Sequence, residues 1–140
     1  MTTKDIHINN TFSKNEKLCR TKSIDSLFSK GESFIAYPLR IVYCLEEEPD
    51  QALQTVSVLI SVSKKKFKRA VKRNRVKRLV REAYRLNKTY YTQLLSANNK
   101  RMDIAFLYLK NELPTYEEIE KSILKTANIL SERMKGRAEL

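Results

Sequence analysis

The sequence predicts an α+β fold, with helices packed on a small sheet of three or four strands in the order α-β-β-(β)-α-β-α. Three patterns carry that expectation. Apolar residues alternate with period two at Leu39, Ile41, Tyr43 and Leu45, and again at Val56, Val58, Ile60 and Val62, as half-buried strands require. They recur at helical spacing at Val76, Leu79, Val80 and Ala83, and at Ile119, Ile123, Ala127, Leu130 and Met134. Between these stripes, Met102 to Leu109 (MDIAFLYL) is almost continuously apolar, which marks a strand covered on both faces. Elements of this kind bury their apolar sides by laying a helix layer on a sheet.

The elements follow in order. Residues 1 to 16 lack periodicity and are expected to form a mobile N-terminal arm, with His7 solvated there and Phe12 an apolar side chain able to dock. Thr21 to Ser29 reads as a helix with Ile24, Leu27 and Phe28 on one face, a cap at Thr21 or Ser23, and Gly31 just past its end. Phe34 to Leu45 is extended but interrupted by Pro38, which cannot donate to a ladder and so marks an edge, a bulge or a break between two strands. Glu46, Glu47, Glu48, Pro49 and Asp50 form a hydrophilic turn. Gln54 to Val62 is the next strand, and a helix is expected from near Ala70, continued by Tyr90, Tyr91, Leu94 and Leu95 until Asn98-Asn99 breaks it. After the apolar strand, Thr115 and Glu118 have the spacing of a capping box for a last helix ending near Gly136.

One domain, residues 17 to 134, holds all of this, followed by a short tail at 135 to 140. Cys19 and Cys44 match neither a CxxC nor a zinc spacing, so two reduced thiols are expected and no metal site. The first ten residues lack the apolar core of a signal peptide, and no stretch approaches the ~20 apolar residues that span a bilayer. A cytoplasmic protein is expected, without a membrane partner.

Charge is distributed very unevenly. Lys64 to Arg81 (KKKFKRAVKRNRVKRLVR) holds eleven Lys or Arg and no acid, so it carries +11 of the formal +12 and leaves the other 122 residues at +1. Such confinement repels itself, and a compact fold keeps it most easily when a polyanion supplies the counter-charge. Charge runs are usually solvated faces or tails. This one lies between strong strand patterns and has its own apolar stripe, so a nucleic acid is the partner expected. From Asn74 onward the apolar face is opposed by Asn74, Lys77, Arg78, Arg81 and Arg85. If the helix ran unbroken from Phe67, Ala70 and Val71 would lie on the basic side, so its first turn should project beyond the core. Lys72 and Arg73 there add charge where the helix dipole favours acids, which phosphate oxygens would offset.

The ordered run Ser61-Val62-Ser63-Lys64-Lys65, then Ala70-Val71-Lys72-Arg73-Asn74-Arg75-Val76-Lys77-Arg78 and on to Arg85, resembles the signature of the bacterial ribonuclease P protein subunit family. Arg20 through Gly31 resembles that family's first helix and Asp103 to Leu107 its last strand, so the likeness covers about residues 11 to 134. Two departures stand out: Lys66-Phe67-Lys68-Arg69 fills, without glycine and one residue longer, a turn that commonly has glycine, and Ile24 stands where Phe is frequent.

The resemblance implies a left-handed βαβ crossover around the basic helix, against the strong general preference for right-handed ones. It also implies an accessory subunit of an endoribonuclease whose catalytic centre and Mg²⁺ belong mainly to an RNA partner. The protein would bind that RNA and the 5′ leader of precursor tRNA, as a monomer in a 1:1 complex, with no catalytic or metal-binding residue of its own. Lys72, Arg73, Asn74, Arg75, Lys77, Arg78 and Arg81 would then face the catalytic RNA, their guanidinium forks gripping phosphates while Asn74 reads a base edge or a 2′-hydroxyl. Asn74 has a second reading as a helix cap or surface amide. Single strands are held by basic grooves with aromatic platforms. By the family pattern, Phe28, Tyr43, Lys64, Lys65 and Arg69 would line such a groove between sheet and basic helix, although both aromatics could instead be core; Phe67, a bulky apolar residue amid basic neighbours, is a further candidate that packing over the sheet edge explains equally well. The rival readings are a ribosome-associated or general structural RNA-binding protein, a DNA-binding regulator, which normally has a second short helix before its recognition helix, and a protein-only nuclease, whose acid cluster is missing.

Overall fold

The computed structural model describes residues 21–47, 56–97 and 100–139. The expectations for the N-terminal arm, His7, Phe12, Cys19 and the end of the acidic turn lie outside these residues, and the side chains of Thr21 and Ser23 are likewise not described. Seven elements follow one another: α1 (Thr21–Lys30), β1 (Glu32–Ala36), β2 (Leu39–Glu47), β3 (Val56–Ser61), α2 (Ala70–Ala97), β4 (Lys100–Tyr108) and α3 (Tyr116–Glu139). The fold class is the α+β arrangement expected, with four strands.

The sheet order is β1-β2-β4-β3. β1 and β2 are antiparallel, β2 and β4 are antiparallel, and β3 and β4 are parallel. Pro38 proves to be a break: Tyr37-Pro38, joined by a cis peptide, turns the chain between β1 and β2, and the Pro38 carbonyl accepts the Leu109 N–H at 2.9 Å. β4 enters last yet lies inside the sheet, which is why its sequence does not alternate. Met102, Ile104 and Phe106 face one core and Ala105 faces another.

Helices cover both faces, where a single helix layer was expected. On one side α2 and α3 bury Val76, Val80, Ala83, Tyr84, Ile119, Ile123 and Leu130 against Leu39, Ile41, Val58 and Phe106. Tyr91 crosses between the two helices and donates its hydroxyl proton to the Ile123 carbonyl at 2.6 Å. On the other side α1 places Leu27 and Ile24 over Val42, Ala105 and Leu59.

Local sequence explains the ends. Thr115 Oγ1 accepts the Glu118 N–H (3.2 Å), the first half of the capping box, but the Glu118 carboxylate pairs with Lys110 Nζ (2.9 Å). The helix then continues past Gly136 to Glu139. Gly31 closes α1, its N–H donating to Leu27 O at 2.9 Å, yet no glycine has positive φ. Its requirement is space: a Cβ there would lie 2.3 Å from Leu27 O and 2.9 Å from Tyr43 O.

Candidate nucleic-acid interface

At a rise of about 1.5 Å per residue, 28-residue α2 is roughly 42 Å long, whereas a nine-residue strand is roughly 30 Å. The helix therefore outruns the sheet. Val76 is its first buried residue, and Val71 is 79% exposed, so the N-terminal turn projects into solvent as the interrupted stripe predicts.

The turn from Ser63 to Arg69 that leads into α2 is held at three points. Ser63 organises its start: the hydroxyl oxygen accepts the Lys65 N–H (3.0 Å), and the carbonyl accepts those of Lys66 (3.1 Å) and Phe67 (3.3 Å). Phe67 anchors the middle, buried and stacked on Tyr108 with ring centroids 6.1 Å apart. Arg73 fastens the end, Nη1 donating to Phe67 O (2.8 Å) and Lys68 O (2.7 Å). An aromatic anchor and an arginine thus fix a turn that has no glycine.

On this scaffold Lys64, Lys65, Lys68, Arg69, Lys72, Asn74, Arg75 and Arg78 are exposed, while Lys77 and Arg81 are half-buried. The first turn of α2 has no acid. Helical bonding starts from Arg69 O to Arg73 N (3.3 Å), so Arg69, whose side chain cannot accept, occupies the cap position. Asn74 lies inside the helix and is not its cap. Further along, Glu82 accepts from Arg85 Nε at 3.1 Å, which removes Arg85 from the basic ridge and holds the Glu82 carboxyl below its ordinary range.

The leader groove expected between sheet and basic helix is absent, because that space is core. Tyr84 packs against Phe106, with centroids 6.1 Å apart, and Val76 and Val80 fill the remainder. Tyr43 is 1% exposed, edge-on to Phe34 at 5.9 Å, and its oxygen accepts from Arg133 (3.1 Å), with burial pushing the phenol up. It cannot stack on a base. Phe67 is excluded for the same reason. Phe28 is 48% exposed on α1, which lies across the sheet from α2. Lys64, Lys65 and Arg69 stay together on the turn, but Arg73 is directed at carbonyls where a phosphate contact was expected.

The α1 face shows what sequence reading missed. Ile35 pairs with Arg40, Arg40 with Leu107, and Leu107 with Ser61, forming a row across all four strands. Ile35, Arg40 and Ser61 are exposed, and two residues beyond Ser61 the basic turn begins. Exposed Arg40 next to exposed Ile35 is a weak signal by itself; only register makes it a surface. Two acids lie further along the same face, where Cys44 pairs with Asp103 and Glu46 with Arg101. Asp103 and Glu46 pair with Arg101 at 3.0 and 2.9 Å, and among the described residues no three His, Cys, Asp or Glu are grouped to hold a metal ion.

The family model for Ribonuclease P matches residues 12–131. The ribonuclease P protein component of Porphyromonas gingivalis is 46% identical over 114 residues, covering 81% of this chain and 82% of its own. That of Chlorobaculum tepidum is 37% identical over 127 residues, with 84% and 82% covered. The fold matches the RNase P protein of Staphylococcus aureus with a TM-score of 0.62 at 22% identity, covering 82% of this chain and 94% of the other. It matches that of Thermotoga maritima with a TM-score of 0.60 at 21% identity, covering 80% and 94%. This chain belongs to the ribonuclease P protein family.

Proposed function

We propose that the chain is the accessory, RNA-binding subunit of ribonuclease P, which joins a catalytic RNA in a 1:1 complex and assists removal of the 5′ leader from precursor tRNA. The observation that carries this reading is the basic turn and first turns of α2, tied to the domain through Phe67 and Arg73 yet projecting beyond its core. Charge so concentrated on one exposed part of the fold suits phosphates arranged in a folded RNA. Lys72, Asn74, Arg75 and Arg78 form its outer side, with Lys77 and Arg81 along its flank.

The leader surface is reassigned to the α1 face. Ile35, Arg40 and Ser61 offer an open strip of sheet with Phe28 on the neighbouring helix and Lys64 and Lys65 at its end, a combination of apolar platform and cations that suits a single strand. Among the described residues no three His, Cys, Asp or Glu are grouped to hold a metal ion, and Asp103, Glu46, Glu82 and Glu118 are each engaged by an arginine or lysine; in this reading the reaction's metal ions belong to the RNA partner. A site of action in the cytoplasm follows from that partnership.

The test is cleavage of a 5′-extended precursor tRNA at low Mg²⁺ by the matching catalytic RNA with and without the protein, and by the protein alone. Efficient cutting at the mature 5′ end by the combination only is the expected result. A protein that binds RNA but never alters cleavage would instead be a structural RNA-binding protein.

A further inference from the structure

Arg73 is fastened to the turn before α2 twice over. Its backbone N–H opens the helical ladder on Arg69 O (3.3 Å), and its side chain reaches back six and five residues to Phe67 O and Lys68 O. Those two carbonyls lie outside the ladder. Between Ser63 and Arg73 the chain exposes Lys64, Lys65, Lys68, Arg69 and Lys72, which repel one another, and no acid in the first turn of the helix opposes them. A cation makes an effective clamp here because it meets the negative ends of carbonyl dipoles and not the side chains.

We propose that Arg73 is a positioning residue for RNA binding: it holds the turn 63–69 in one conformation before RNA arrives, while its exposed neighbours Lys72, Arg75 and Arg78 make the phosphate contacts. This rests on the RNA-binding reading above. Loss of the clamp returns the turn to several conformations, so binding weakens through an added ordering cost. Loss of a phosphate contact instead reduces the number of counterions released, which is read from the salt dependence.

The two roles separate experimentally in the full chain, using Arg73→Met and Arg75→Met. The turn is rich in trypsin sites, and cleavage of a native protein tracks the population of its open form. In the absence of RNA, Arg73→Met is expected to speed cuts after Lys64 to Arg69 by about five- to a hundredfold, the effect of losing two net hydrogen bonds, and Arg75→Met to leave them unchanged. With the matching catalytic RNA, Arg73→Met should lower affinity at every salt concentration while keeping the wild-type slope. Arg75→Met should make the slope shallower by about one unit.

Unchanged cleavage in the turn, or a slope that falls for Arg73→Met as for Arg75→Met, overturns the proposal. Arg73→Lys retains charge and stem and guards against a variant that fails to fold. It is expected to cut faster in the turn at unchanged slope, and behaviour identical to wild type would overturn the proposal too. A wild-type chain that binds no RNA overturns the RNA half together with the reading it rests on, and is told apart because the trypsin difference persists.

Discussion

In the proposed RNA complex, the steepness with which salt loosens binding depends on how many of the chain's cations reach solvent. Lys64, Lys65, Lys68, Arg69, Lys72, Arg75 and Arg78 are exposed, seven of the eleven in the basic run; Arg73 is tied to carbonyls, and Lys66, Lys77 and Arg81 are half-buried. Lys64 and Lys65 are assigned to the leader surface, so if each of the other five meets one phosphate of the catalytic RNA, log K falls against log salt with a slope of about −3.5 to −4.5, at about 0.7 to 0.9 counterions per contact. Raising monovalent salt from about 50 to 200 mM should therefore weaken binding by roughly 10²- to 500-fold. The assay is fluorescence anisotropy of labelled catalytic RNA, titrated with protein at several KCl concentrations and fixed Mg²⁺. Replacing Lys72, Arg75 and Arg78 together by Gln should flatten the slope by about three units with the fold intact. A wild-type slope shallower than about −2 would refute the reasoning, because the exposed ridge would then not be touching the backbone of the RNA.

Other perturbations test the scaffold. Gly31→Ala would drive a methyl into two backbone oxygens that cannot move aside, and is expected to lower stability by about 2–3 kcal/mol in urea unfolding. Phe67→Ala removes the buried anchor of the turn and should cost about 3–4 kcal/mol, with Phe67→Leu much milder. For Asp103, burial outweighs the attraction of Arg101 and raises the carboxyl above its usual 3.8, with Glu46 adding to the rise. The folded chain thus holds this proton more tightly than the unfolded one, so the contribution of Asp103 to stability is greatest in acid and is lost as pH rises through the folded value. Relative to Asp103→Asn, the wild type should gain stability as pH is lowered from 7 towards 4, measured by urea midpoints at each pH. A gain on raising the pH would contradict that sign.

Element types were readable because period and punctuation agreed: Val56 to Val62 alternates, α3 has its cap at Thr115, and Pro38 interrupts the ladder where the chain turns. Sheet neighbours were not readable, since nothing local tells β4 to enter between β2 and β3. That single fact decided the site. Without it, Tyr43 and Phe67 are aromatics near a basic run and invite stacking; with it, both lie under helices or against Tyr108. Charge and helical spacing placed a basic ridge at Asn74, Lys77, Arg78, Arg81 and Arg85, of which Asn74 and Arg78 are exposed, while Lys77 and Arg81 are half-buried and Arg85 pairs with Glu82. The role of Arg73 was hidden because composition counts a guanidinium and does not show where it points.

The place of β4 also sets an order of assembly. Leu39 pairs with Tyr108, 69 residues further on, and Val56 with Met102, 46 further on, so β2 and β3 have no shared neighbour until residues beyond 100 have been made. During synthesis the β1-β2 hairpin, strand β3 and the whole cationic helix leave the ribosome before the strand that unites them. Pairings this distant in sequence are slow to close, and exposed strand edges are open to wrong partners meanwhile. A chain ending before Lys100 therefore has its concentrated basic charges and most of its strands, but no complete sheet on which to display them.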